Sequence, residues 1–344
     1  MRSEAIFPPP GDLDSEVAWH YGDPHAEQRA LTAGSGCVDL SHFGVVTVTG
    51  PDRLTWLHAL TTQHLEGLKP GESALALILS PHGHVEHELH LVDDEWTTWI
   101  ITQPGTATDL VNYLESMKFM TRVEIADRSA SFGVVWEPVE GIDPQFPTWL
   151  EPSDFSGYGH VDAGMDRGGG PDKYVKGRPG YFPGREVIIP REAIAERLQL
   201  NGEPAGTWAY NALRVAAAVP RLGFETDHRT LPHEVGWIGP AVHLSKGCYR
   251  GQETVARVHN LGHPPRKLAL AHLDGSVETL PLHGDPVSVA GKEVGWVASS
   301  ARHFELGPIA TVVVKRNAPS DAAALIVSDG TEIAATLEPV ICPD

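Results

Sequence analysis

Cysteine is scarce in this chain: Cys37, Cys248 and Cys342 are odd in number and far apart. That argues against a disulfide framework and fits a reducing compartment. Basic residues are also few, 26 Lys and Arg against 45 Asp and Glu, for a net charge of −19. A broad surface for nucleic-acid phosphates needs clustered cations, so this balance argues against one and leaves room only for a local basic groove. No apolar run approaches the length of a bilayer span, and Met1 to His20 lacks the apolar core of a signal peptide. The expectation is a cytoplasmic protein with no membrane partner. The rest is ordinary globular material: 344 residues, 41% hydrophobic and 21% charged, enough for two or three domains with their own cores.

One stretch stands apart from that background. Lys246-Gly247-Cys248-Tyr249-Arg250-Gly251-Gln252-Glu253 sets a thiol between two cations, adds two glycines, and ends on an amide and a carboxylate. Glycine permits positive φ or close backbone approach, and charged side chains are seldom buried without partners. Lys246 and Arg250 beside Cys248 are expected to favour its thiolate, the form that attacks electrophiles and binds soft metals. Composition alone leaves a second reading open, in which Cys248 is a small buried hydrophobe and the charges are surface decoration.

The run Lys-Gly-Cys-Tyr-x-Gly-Gln-Glu, continued by Thr254-Val255-Ala256-Arg257, resembles the signature of the YgfZ family. These are folate-binding proteins similar in fold to the T-protein of glycine cleavage, an aminomethyltransferase. Asp39-Leu40-Ser41-His42, a strand, Gly50-Pro51-Asp52 and a helix are similar to the entry of that fold. The resemblance covers roughly residues 30 to 340. It implies an α+β chain built as a T-protein-like three-domain ring, with two ferredoxin-like α+β domains and a C-terminal β-barrel. The expected division is 1–50 with 137–262 as a discontinuous domain carrying the signature, 51–136 inserted, and 263–344 as the barrel.

The residues support this order independently. Gly44 to Thr49 is a β-branched strand, and Leu54, Leu57, Ala59 and Leu60 make a helical face after Pro51. Strands are expected at 73–79, 85–92 and 96–102, then a helix whose start, Thr106 with Asp109, reads as a capping box. Leu110, Val111, Leu114 and Met117 form its expected buried face. Residues 137–184, rich in Pro, Gly and Asp, read as a crossing between lobes. Helices are expected at 190–200 and 204–219. After Pro264-Pro265-Arg266 come six short strands, 267–273, 285–289, 293–299, 308–314, 324–327 and 333–337, the pattern of a small closed barrel. Cys37, with no charged neighbour, reads as core.

Alternation along 85–92 puts Val85, His87, Leu89 and Leu91 on one face and His84, Glu86, Glu88 and His90 on the other. The second face is expected outward, as a solvated ladder or a weak metal site; the first carries His87 inward. In the T-protein family this strand presents adjacent aspartates to folate, and the resemblance places His87 and Glu88 there. Gly180-Tyr181-Phe182-Pro183-Gly184-Arg185-Glu186 resembles a shortened form of the family segment whose last Glu grips the pterin. A carboxylate suits that amino-pyrimidine edge, because two parallel N–H donors match its two oxygens. The resemblance therefore assigns Glu186 to the pterin, Tyr181 beside the ring, and Gln252 and Arg257 to the folate, with a structural ion pair as Arg257's other role.

The resemblance also implies binding of tetrahydrofolate or a one-carbon derivative, with Cys248, flanked by Lys246 and Arg250, acting in iron–sulfur cluster assembly or repair. Partners would be iron–sulfur enzymes or assembly proteins, with an indirect effect on tRNA thiomodification. A single cysteine cannot hold a cluster, which needs about four ligands. Two other functions fit the same residues: a folate-dependent aminomethyltransferase of the T-protein type, and a noncatalytic folate sensor or scaffold.

Overall fold

The computed structural model describes residues 4–151, 182–319 and 322–340. It contains a five-stranded sheet, a four-stranded sheet and a closed six-stranded barrel, antiparallel throughout.

The five-stranded sheet has the spatial order Ser73–Leu79, Val85–Asp93, Thr97–Thr102, Gly44–Thr49, Glu124–Asp127. Its first strand in chain order, Gly44–Thr49, is buried along five of its six residues, because both faces are covered. Val46 and Val48 pack with Leu57 of helix Arg53–Leu60 and with Leu110 and Leu114 of helix Ala107–Met117. Val45 points the other way, into a core shared with Trp136, Ile188 and Tyr210. The β-branched run at 44–49 thus serves two cores at once, which is why it lacks polar alternation.

The four-stranded sheet runs Val38–Asp39, Phe132–Glu137, Arg185–Pro190, Thr148–Leu150. Cys37 lies fully buried behind it with Val135, Val187 and Ile189, the core position expected of it. Helix Thr207–Ala216 bridges this region to the barrel. Its Ala212, Val215 and Ala216 pack on Leu268, Leu270, Ala298 and Ile309. The barrel strands, Arg266–Leu273, Pro286–Val289, Lys292–His303, Gly307–Lys315, Ala323–Ser328 and Thr331–Pro339, close in the order first, fourth, third, second, fifth, sixth.

Some local expectations change. Thr106 makes no cap; its hydroxyl bonds Thr102 Oγ1 at 2.8 Å and the Gln103 carbonyl at 2.8 Å, tying the helix start to the preceding strand. Met117 is 42% exposed, because the helix buries Ala107, Leu110 and Leu114 instead. The expected 190–200 helix is a 3-10 turn at Arg191–Ala193 followed by a single turn at Ile194–Arg197.

Candidate functional site

A cavity lies where the two sheets, helix Thr207–Ala216 and the segment after it converge. Glu88, His90, Gln103, Trp149, Glu186, Tyr210 and Arg221 line it, together with Phe43 and Leu75. Its volume is about 20 Å³, room for one or two waters.

The strand that carries Glu88 and His90 contains one register shift. Opposite Ile78 and Leu79 the pairing jumps from His87 to Val85, so Glu86 is a bulge. Such an extra residue re-aims the side chains beyond it. Val85 consequently belongs with the core between the sheets, whereas Leu89 and Leu91 turn to the helix side. His87 follows them and sits 6.1 Å from the Tyr113 ring, away from the cavity. Glu88 and His90, expected on a solvated outward ladder, instead face the cavity, and Glu88 is only 4% exposed. Alternation holds from His87 to Leu91 and the bulge moves only Val85 off that face; the second face is not solvated because both faces of the sheet are covered.

Glu186 stands on Arg185–Pro190, paired across from Trp136 and Trp149, and is 2% exposed. His90 lies between the two carboxylates. Its Nδ1 is 2.7 Å from Glu186 Oε2, and its Nε2 is 3.4 Å from Glu88 Oε1. The ring stacks on Trp149 at 3.8 Å between centroids and 12° between planes. Burial disfavours a charged imidazole, but Glu186 and then Glu88 outweigh it and push the His90 pKa up to about 10. His90 is therefore an imidazolium at neutral pH, donating from both nitrogens.

Glu88 has further donors. The Leu222 backbone N–H bonds its Oε2 at 2.9 Å and Gln103 Nε2 does so at 3.3 Å. Gln103 in turn accepts from Arg221 Nε at 2.6 Å. The Arg221 guanidinium binds both oxygens of Asp14, at 2.8 and 3.2 Å, and lies over the rings of Phe43 and Phe224. Burial works against charge at both residues of this pair. Their mutual attraction prevails, holding the Asp14 carboxyl far below the usual range and raising Arg221. Tyr210 is also raised, by burial and then by Glu186, so its phenol stays protonated.

The signature segment folds as a loop leading into helix Gln252–Leu261. Gly251 takes φ +81° at the helix start, and Gly83 takes φ +81° in the turn between the strands ending at Leu79 and starting at Val85. They meet backbone to backbone: a Cβ on Gly251 would lie 2.6 Å from the Ser80 carbonyl oxygen and 2.8 Å from Gly83 Cα. Here glycine is required by contact as well as by φ. Lys246 is buried and donates to the carbonyls of His58 and, at 2.5 Å, Thr61. Burial draws its ammonium down to about 8. Arg250 donates to Glu86 at 3.1 Å. Both cations expected to serve Cys248 thus have partners on the five-stranded-sheet side, and their bonds clamp the loop to it.

Cys248 itself is exposed, not a buried hydrophobe, and does not line the cavity. Gln252 and the exposed Arg257 lie on the helix after it and do not line the cavity either. Tyr181 and Cys342 lie outside the described residues. The predicted cofactor set is therefore divided: the structure brings Glu88 and Glu186 together and places His87, Gln252 and Arg257 elsewhere. Asp14, Trp149 and Arg221 join the site without having been expected there, and His90 joins it from a face expected to be solvated. Among the described residues no group of three or more His, Cys, Asp or Glu is arranged to hold a metal ion, and no helix is long and apolar enough to cross a membrane.

Known proteins of similar sequence and fold are aminomethyltransferases by name. Aminomethyltransferase of Symbiobacterium thermophilum is 28% identical over 305 residues, covering 83% of this chain and 80% of that protein. Aminomethyltransferase of Rubrobacter xylanophilus is 29% identical over 310 residues, covering 85% of this chain and 79% of the relative. Among solved structures, glycine cleavage system aminomethyltransferase T from Bartonella henselae superposes with a TM-score of 0.74 at 19% identity, covering 98% of this chain and 93% of that one. Residues 13–136 match the GCVT N-terminal domain family, and the chain as a whole shares the fold of aminomethyltransferase T.

Proposed function

We propose that this protein binds tetrahydrofolate or a one-carbon derivative in the cavity and acts as a folate-dependent one-carbon transferase of the aminomethyltransferase kind. The observation that carries this reading is the convergence of two buried carboxylates, Glu88 and Glu186, beside the flat face of Trp149. Buried carboxylates are costly unless they receive strong donors, and the amino-pyrimidine edge of a pterin supplies two parallel N–H groups. The donor chemistry fits; the ring needs more space than the cavity offers with His90 in its present position.

Tetrahydrofolate, when bound, supplies a nucleophilic nitrogen that accepts a one-carbon unit. Glu186 holds the pterin edge. In this reading Glu88, held by Leu222 N–H and Gln103, stabilises positive charge on an amine-bearing carbon unit. Arg221 keeps Gln103 oriented while its own charge is neutralised by Asp14. Phe43, Leu75 and Tyr210 are buried core side chains in the cavity wall, and this low-dielectric surrounding strengthens each of these interactions.

Titration with tetrahydrofolate should quench the fluorescence of the nine tryptophans saturably. Glu186→Ala should weaken that binding by about tenfold or more, the loss of a charge-assisted pair. Absence of both quenching and heat on titration of the wild-type protein would remove the folate reading. Ammonia release from an aminomethylated carrier would support transfer.

A second reading is favoured by one feature, the exposed thiol of Cys248 in the YgfZ-like segment. It assigns the protein to iron–sulfur cluster maintenance, with Cys248 as a transient iron ligand or exchange thiol. Cys248→Ser should then fold and bind folate normally yet fail to restore cluster-enzyme activity in cells lacking the protein. Full restoration would refute it.

A further inference from the structure

The imidazole of His90 is a planar heteroaromatic ring lying parallel to Trp149 at 3.8 Å. It presents N–H groups to two carboxylates on opposite sides, Glu186 at 2.7 Å and Glu88 at 3.4 Å. Stacking face, flat ring and edge donors onto acid are the same three features that recognition of an amino-pyrimidine ring would use. The ring also fills the space: the cavity left beside it, about 20 Å³, holds water and nothing larger.

From this we infer that His90 is a built-in surrogate ligand, a specificity-determining side chain that fills the ring-binding slot on Trp149 until a heterocycle with a cationic or amidine-like donor edge displaces it. The inference rests on the proposed folate reading for the identity of that heterocycle, but the slot itself follows from the geometry around His90. Neutral aromatic rings without edge donors do not displace it, since they would leave Glu186 buried and unpaired. Anionic rings are rejected more strongly, because both walls carry carboxylates. The selectivity is thus for flat donors, and a ligand must supply what the imidazolium already supplies. His90 acts by occupying the slot and contributes nothing to the chemistry of transfer.

The test empties the slot. In His90→Ala, free imidazole should bind and raise the thermal midpoint saturably, while wild type shows no such response. Tetrahydrofolate should bind His90→Ala at least about tenfold more tightly than wild type, the competing charge-assisted bond having been removed, and imidazole should compete with it. His90→Asn, which keeps a polar group near Glu186, serves as a second variant and should show the same imidazole response if His90→Ala does not fold. Imidazole binding without tetrahydrofolate binding in either variant would uphold the surrogate slot and overturn folate as its occupant. Tetrahydrofolate binding equally to wild type and variants, with no imidazole response, would leave folate binding standing and overturn the surrogate role of His90.

Discussion

Replacing His90 by Phe keeps a flat ring on Trp149 but removes both donors, and the result should depend on pH in a defined way. The His90 pKa is about 10 in the fold and about 6.5 in an unfolded chain. A folded-state value above the unfolded one contributes stability that is fully present below pH 6.5 and is lost as pH rises towards 10. Each pH unit within that window removes about 1.4 kcal/mol. The gap in unfolding free energy between wild type and His90→Phe should therefore shrink by roughly 2–3 kcal/mol between pH 7.5 and 9.5. Lys246, drawn down to about 8, titrates across the same range with the opposite sign, but it is present in both proteins and cancels in the difference. Urea unfolding of the pair at several pH values gives the gap directly. A gap constant from pH 7.5 to 9.5 would show that His90 is not held as an imidazolium by Glu186 and Glu88.

Gly251→Ala should destabilise by roughly 2–4 kcal/mol, combining positive φ with contact against the Ser80 and Gly83 backbone; an unchanged thermal midpoint would mean that the loop and turn do not depend on each other. Cys248→Ser, at an exposed position, should leave the unfolding free energy within about 0.5 kcal/mol; a large drop would place the thiol in the packing.

Much of this fold is legible in local pattern. Each of the six barrel strands falls within a few residues of its expected span, because every one is bounded by turn residues and carries its own alternation. Glu186 and Glu88 are legible as acids in strand positions. That Glu88 faces a covered cavity is not, since Trp149 and Glu186 on that side come from a second sheet that the pattern within 85–92 does not contain. His90 reads as solvated for the same reason. Asp14 is hidden in a stretch with no periodicity, and its importance comes from Arg221, 207 positions away. The two cations beside Cys248 mislead in a simpler way. Neighbours in sequence need not be neighbours in charge, and Lys246 and Arg250 reach across to His58, Thr61 and Glu86.

Glu225, fully buried, accepts from Arg214 and from the Arg221 backbone on the cavity side, and from Ser299 and Thr311 on the barrel side. One carboxylate therefore rivets the floor of the pocket to the C-terminal barrel. The two cannot drift apart without stranding a buried negative charge, so the barrel works as a brace for the pocket, and a substitution at Ser299 or Thr311 reshapes the wall carrying Arg221 without ever meeting a ligand.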